Sequence, residues 1–529
     1  MPNDRLRLIP LPTPAARIRN RDDVVTTGGL LALRADSATP LTAMREDLDL
    51  VADALADAGI DVLLVRGEDD RPVLAVDEER RLDVQQALVA AAVAEPLYAV
   101  PVRRNHSRRG EPLLLADGDL SERRDTRLLH LFRPRVDAAG RLDGGEATAV
   151  QLEFWQRSGA EIRVPVPNAL TRRRFVADEM RLTHVERYGR EWSTIEDMFA
   201  DHVSDIDFPI DMVFSWVDGT DKEWQRARAR RMASYVVGEG DEAEARFRQI
   251  DELRYALRSV NTYLPWVRTI YIATDSPAPA WLADHPRVRI VPSEQFFADP
   301  SVLPTHNSMA VESQLHHIAG LSEHFIYSND DMFVGRPLMP DTFFSPGGIS
   351  KFIEAGTRIG LGENHQRRSG FENAARVNRA LLRRRFGRVI TRHLEHAPTP
   401  LRRSIMATME REFADDFAAT AASTFRAATN ISVTNSLYHY YGLLTGRAVQ
   451  NTSATVLYVD TTTRKGLGLM KGLLSRPVWD FFCLNDGSFP EVGPEERAHK
   501  VRSFLERYFP VAAPWERPDE HHLHAASAG

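Results

Sequence analysis

The sequence predicts an α/β fold: a mostly parallel sheet with helices on both faces, a helical insertion, and an α+β domain ahead of it. Three observations lead there. From about residue 205, apolar runs of strand length alternate with segments of helical periodicity. Three of the strand runs stop at acidic residues, at Asp218, Asp275 and Asp330-Asp331, as expected when one rim of an open sheet gathers ligand-binding groups. Residues 360–447 then interrupt the alternation with helix-rich, arginine-dense sequence.

Taken in order, residues 1–30 read as a loose arm, because Pro, Arg and Asn occur there without periodicity. Residues 31–204 read as an accessory α+β domain. Leu48–Ala58 is amphipathic at helical spacing and ends at Gly59. Ile60–Val65 and Val73–Val76 read as strands, Asp83–Ala94 as a helix, and Leu128–Phe132 and Ala149–Trp155 as strands. Glu153 lies in the last of these and is expected to face solvent.

The main domain spans 205–515. Ile210–Val217 reads as a strand and Asp251–Tyr263 as a helix, with Leu253, Leu257 and Val260 at helical spacing. Val267–Ala273 and Val288–Val291 read as strands, Met309–Ala319 as a helix, and Phe325–Tyr327 as a buried strand. Alternation of this kind implies a Rossmann-like sheet. The insertion at about 360–447 carries Arg367-Arg368, Arg383-Arg384-Arg385, Arg388, Arg392 and Arg402-Arg403. Those arginines form either a solvated helix surface or a docking face for phosphate. Trp479–Leu484 returns to strand character, and residues 516–529 read as a disordered tail, the alternative being that its His521, His522 and His524 bind a metal adventitiously.

Composition narrows the class. Apolar residues make up 43% of the 529-residue chain and charged residues 27%, ordinary for a soluble globular protein. A net charge of -7 opposes a general role in nucleic-acid binding. The single cysteine, Cys483, excludes an intramolecular disulfide and a Cys-rich zinc site. Without an apolar leader or a bilayer-length apolar run, the sequence points to the cytoplasm, free or peripheral to the inner face of the membrane.

The chemistry centres on Asn329-Asp330-Asp331. Adjacent carboxylates just past a strand end are either a turn or an oxygen-rich cation site. The second reading suits Mg²⁺ or Mn²⁺ and, through the ion, a diphosphate. It implies an enzyme acting on a nucleotide-activated substrate.

Four blocks in order resemble the Stealth family. These are sugar-phosphate transferases that include bacterial capsular polysaccharide phosphotransferases and the catalytic subunit of the animal lysosomal-enzyme N-acetylglucosamine-1-phosphotransferase. The first block is Ile210-Asp211-Met212-Val213-Phe214-Ser215-Trp216-Val217-Asp218-Gly219. The second runs from Asp251-Glu252-Leu253-Arg254 through Pro265-Trp266-Val267-Arg268, Leu303–Ser308 and Val311-Glu312-Ser313 to Asn329-Asp330-Asp331. The third contains His396-Ala397-Pro398 and Phe425-Arg426, and the fourth is Cys483-Leu484-Asn485-Asp486. Ile250 and His306 depart from the family pattern, in which Asn and an aromatic are usual.

The resemblance implies transfer of a hexose-1-phosphate from a nucleotide diphosphate sugar, such as UDP-N-acetylglucosamine, to a glycan hydroxyl in capsule or cell-wall synthesis. It implies Asp330 and Asp331 as ligands of Mg²⁺ or Mn²⁺, His396 as general base and Arg426 on the phosphoryl oxygens. Asp218 contacts the metal or the nucleotide, and Glu312 the sugar or the metal. Asn307 falls in the same motif as a substrate contact. Arg254 and Arg258 bind phosphate or form structural ion pairs, and Trp216 lines the nucleotide pocket or the core. Asn485 and Asp486 close the site. The expected partners are a nucleotide-sugar donor, a glycan acceptor and a membrane or polysaccharide-assembly partner. A metal-dependent glycosyltransferase releasing a nucleoside diphosphate, and a non-catalytic glycan-binding protein, are the competing readings.

Overall fold

The structure, a computed structural model, describes residues 13–35, 38–102, 110–118, 120, 126–137, 142–143, 145–219, 225–226, 250–475, 478–487 and 490–518. The chain forms two compact units, Met1–His202 and Val203–Gly529. The histidines of the expected tail, and Thr220-Asp221 after the first catalytic strand, lie outside the described residues.

In the N-terminal unit, the strand Val150–Ser158 pairs in parallel with Pro72–Asp77 and antiparallel with Leu128–Phe132. The helix Pro40–Asp57 buries Leu48, Val51 and Leu55 in the same core as Leu74, Leu152 and Phe154. It starts well ahead of the expected Leu48 because Thr39 accepts from the Thr42 backbone N–H and Pro40 occupies its first turn. Two expectations fail here. Residues Pro14–Arg19 are a helix and Val24–Thr27 pairs with Leu30–Arg34 as a hairpin, rather than a loose arm; Ile18 and Leu31 anchor them in the core. Glu153 does not face solvent. Its strand is flanked on both sides, and the carboxyl is 2% exposed, accepting from Trp155 Nε1 at 2.7 Å and Gln151 Nε2 at 2.7 Å.

The second unit is built on a five-stranded sheet in the order Val288–Val291, Ile270–Ala273, Ile210–Ser215, His324–Asn329, Thr399–Arg402. The first four run parallel and the fifth antiparallel. Parallel strands covered on both faces need near-continuous apolar sequence. Along Ile210–Ser215, Met212 and Phe214 enter one core with Leu253, Leu257 and Val260 of the helix Glu252–Tyr263. Val213 enters the other, with Ala310 of the helix Ser308–Gln314 and with Leu315. The period of two along the strand assigns each residue to a face.

A smaller sheet, in the order Met332–Val334, Phe481–Asn485, Val456–Asp460, stands beside this one. The chain leaves the first sheet at Asn329, turns through Asp330-Asp331 and enters the second at Met332. The acidic pair therefore occupies the passage between two sheets. Within the expected helical insertion, the structure holds the helices Gly370–Phe386, Arg403–Glu412, Ala414–Ala421 and Tyr438–Leu444. It also holds Thr399–Arg402, which completes the central sheet. Pro400 disguised that strand, since proline is tolerated only at a sheet's edge. Several arginines of this region are structural: Arg403 donates to the His316 and Leu321 carbonyls, and Arg402 pairs with Glu323.

Candidate active site

Asp331 is held by groups from the second sheet. Asn485 Nδ2 donates to its Oδ2 at 3.2 Å, and the Cys483 thiol lies 3.5 Å from the same oxygen. The backbone follows suit, with Leu484 N–H donating to the Asp331 carbonyl at 3.0 Å. The other carboxylate oxygen, Oδ1, is buried without a hydrogen-bond partner and faces His396 Nε2 at 3.9 Å. A buried bare carboxylate oxygen is costly unless something charged completes it.

Asp330 is pressed in the same direction. Burial, then Asp331 and Glu252, push its carboxyl well above the ordinary carboxylate range. Glu252, the first residue of its helix, is 7% exposed, accepts from the Ile250 N–H at 2.6 Å and is pushed up to about 7, mainly by burial. Asp486 raises it further, whereas Arg497, paired with Asp486, opposes the shift. Asp330, Asp331 and Glu252 thus crowd one another, while Asp486 beside them is paired with Arg497; a divalent cation would relieve the crowding. The Cys483 thiol is raised well above its usual value by burial and by Asp331, so it stays protonated and offers no thiolate. The atoms gathered around Asp331 that could hold an ion are its own carboxylate, the His396 imidazole and the Cys483 sulfur, with the Asp330 carboxyl next in the chain; the carboxylate oxygens fit Mg²⁺ or Mn²⁺.

A second group lies behind the strand His324–Asn329. Glu312 is 3% exposed and accepts from Thr434 Oγ1 at 2.5 Å. Its carboxyl is raised by burial and lowered in part by Arg426. Tyr327 links the two groups. Its hydroxyl contacts Ser215 Oγ and Asn329 Oδ1, each at 2.7 Å, and feels Glu312 and Asp330. Arg426 Nη2 donates to Ser308 Oγ at 2.9 Å.

The expected substrate contacts divide. Asp218 follows Ser215, which is in register with Asn329, so both chains leave the sheet at one rim. Asp218 is anchored there by its N–H on Ser276 Oγ at 2.8 Å. Asn485 and Asp486 join the Asp331 surroundings, and His396 stands beside Asp331. Glu312 is buried behind the strand, accepting from Thr434 and lying within reach of Tyr327 and Arg426. Asn307 is a helix cap whose amide donates to the Ser423 and Phe425 carbonyls and to Asn430 Oδ1, so its side chain is engaged within the protein, next to the loop that carries Arg426. Arg254 and Arg258 both grip Glu516, and Arg258 also donates to the Phe509 carbonyl; of the two roles open to them, the structure selects ion pairing. Trp216 is 7% exposed within the apolar core. Ile250 is likewise core, and His306 stacks on Phe425 at 5.4 Å, in the manner of the aromatic it replaces.

Sequence reasoning missed Glu252, Tyr327 and Cys483 as members of the site. Glu252 was visible as the acid in Asp-Glu-Leu-Arg, yet a first-turn Glu ordinarily signals dipole compensation. Tyr327 read as strand core, and it is core at its ring. A further cluster, His316 and His317 around Glu410, lies elsewhere in the unit and links the end of one helix to another through contacts of 2.8 and 3.1 Å.

Residues 208–236, 246–352, 395–443 and 471–526 match conserved regions 1, 2, 3 and 4 of Stealth proteins. The exopolysaccharide phosphotransferase CpsY of Mycobacterium leprae is 56% identical, over 93% of this chain and 90% of that protein. CpsY of Mycobacterium tuberculosis strain H37Rv is 56% identical over 95% and 94%. An exopolysaccharide phosphotransferase of Nocardia farcinica is 53% identical over 91% and 90%. Among solved structures, the galactosyltransferase LgtC aligns at 12% identity over 59% of this chain and 99% of that one, with a TM-score of 0.29, too slight a likeness to bear on the chemistry. With all four conserved regions in order on the unit that carries the acidic turn, and identity of this depth along nearly the whole chain, the protein belongs to the Stealth family of sugar-phosphate transferases.

Proposed function

We propose that this enzyme transfers a hexose-1-phosphate from a nucleotide diphosphate sugar to a hydroxyl of a polysaccharide, forming a phosphodiester and releasing a nucleoside monophosphate. The names of the relatives, exopolysaccharide phosphotransferases, support the polysaccharide acceptor. The observation that carries the site is the bare Oδ1 of Asp331 facing His396, beside the buried carboxyls of Asp330 and Glu252.

The acceptor oxygen attacks the sugar-bearing phosphorus, and the bond from that phosphorus to the bridging oxygen breaks. The electron pair leaves with the nucleoside monophosphate. His396, on the rim beside Asp331, takes the acceptor's proton, and the imidazolium lies against that carboxylate. Arg426, positioned by Asn307 and Ser308, meets the phosphoryl oxygens as charge spreads over them. Asp330 and Asp331 would hold a divalent ion, which when bound neutralises the diphosphate and the departing monophosphate. Asn485 fixes the rotamer of Asp331, and Asp218 flanks the donor from the neighbouring strand. A UDP-sugar, UDP-N-acetylglucosamine in particular, is the donor we favour on the family resemblance.

Nucleotide product analysis tests the reading. Purified protein is incubated with UDP-, GDP- and CDP-sugars, Mg²⁺ or Mn²⁺, and a glycan acceptor fraction. Acceptor-dependent release of a monophosphate is the expected result. Release of a diphosphate means that the sugar C1–O bond breaks instead, as in an ordinary glycosyltransferase, and rejects the mechanism.

A further inference from the structure

Resting on that phosphotransfer reading, we propose that the acceptor enters as a neutral glycan chain lying in a polar groove that runs from His396 across Tyr458 to the loop 450–454. Tyr458 sits in Val456–Asp460, the edge strand of the smaller sheet. It is 47% exposed, and its ring lies 6.2 Å from that of His396. Val456 projects from the same face of the strand. It lines a cavity of about 360 Å³ together with Glu354, Arg392, Glu395 and Thr452. Glu395 immediately precedes His396, so this cavity opens beside the proposed base.

A second cavity, of about 340 Å³, shares Gln450, Asn451, Thr452 and Ala454 with the first and adds Arg336, Lys351 and Asp480. Each has the volume of a small-ligand pocket, but the lining is mostly polar rather than apolar. The shape therefore suits a hydroxyl-rich chain, with its C–H faces on Tyr458 and its hydroxyls toward Thr452, Asn451 and the charged side chains. Charge favours a neutral occupant. In the cavity nearest His396, Arg392 pairs with Glu354 at 3.6 Å, so that lining offers a diphosphate no free cation, and a neutral sugar needs none. Asn451 sets the loop's form, accepting from Ser453 and Ala454 N–H at 3.0 Å and donating to the Thr342 carbonyl at 2.9 Å. Thr452 is left exposed at the junction of the cavities.

The test uses the full chain and oligosaccharides cut from the glycan fraction that supports monophosphate release, sorted by length. Wild-type enzyme is expected to show an acceptor KM that falls as the oligosaccharide lengthens. Tyr458→Ala and Thr452→Trp, the second a surface change that fills the groove, should each raise acceptor KM about tenfold and flatten the length dependence. Tyr458→Phe keeps the ring and should restore the wild-type KM. A donor KM that shifts instead, or an acceptor KM unmoved in both variants, overturns the groove assignment while the nucleotide product still stands. Wild-type protein that releases no monophosphate with any fraction rejects the phosphotransfer reading and this proposal with it.

Discussion

At the residue scale, Asp331 and His396 carry different burdens, and substitutions should separate them. Asp331→Asn keeps the shape and the contacts to Asn485 but removes the charge. Transfer should fall by on the order of 10³-fold or more, and added Mg²⁺ or Mn²⁺ should no longer protect the protein against heating. His396→Ala should lower the rate by roughly 10²–10⁴-fold, as for loss of a general base, while cation-dependent protection stays. Loss of both properties in the histidine variant identifies His396 as a cation ligand instead. Glu252 makes a prediction in pH. Its folded value of about 7 lies above the ordinary glutamate value of 4.5, so between them the folded state binds a proton that the unfolded state has lost. The stability this group contributes is complete below that window and lost as pH rises through about 7. In chelator, Glu252→Gln should therefore weaken the decline of Tm from pH 5 to pH 8, since burial no longer opposes a carboxylate.

At the element scale, the site depends on segments that touch no substrate. Asn307 caps its helix and ties the loop 423–430 to it with three side-chain hydrogen bonds. Asn307→Ala should cost about 1–3 kcal/mol in denaturant unfolding and lower kcat by freeing Arg426. Gly487 lets the chain after Asn485-Asp486 pass against Asp460, whose Oδ1 accepts its N–H at 3.2 Å; a Cβ there would lie 2.1 Å from Asp460 Oδ2. Gly487→Ala should displace that turn and weaken cation-dependent protection by disturbing Asn485. In the helix Tyr438–Leu444, His439 is buried, with Nε2 donating to the Thr434 carbonyl at 3.0 Å and Nδ1 without a partner. Burial pulls it down to about 3. The unfolded chain takes up a proton below pH 6.5 that the folded one refuses, so stability is lost as pH falls from there toward about 3. His439→Asn should flatten that acid limb in Tm measured against pH.

At the scale of the whole molecule, the two compact units have separate apolar cores, and every residue of the proposed mechanism lies in Val203–Gly529. A fragment beginning at Val203 should unfold cooperatively and retain cation-dependent protection; a fragment with no cooperative transition would show that its core is incomplete. No helix among the described residues is long and apolar enough to cross a membrane.

The parallel sheet and the acidic turn were legible in the residues alone. Continuous apolar strands such as Ile210–Ser215 have a single reading when they alternate with amphipathic helices, and Asp330-Asp331 breaks one of them abruptly. Local pattern also exposed Asp218, Asn485 and His396 as candidates through the family blocks. Which polar residues face one another came only with the folded chain. Arg254 and Arg258 find Glu516 more than 250 positions away, Asn307 turns inward to the loop at 423–430, and Glu252 meets Asp330 across the rim. Thr399–Arg402 becomes a strand because His324–Asn329 offers it an edge, not because its own residues favour one. Propensity and periodicity act over a few neighbours, whereas burial, ion pairing and strand pairing depend on contacts far apart in the chain.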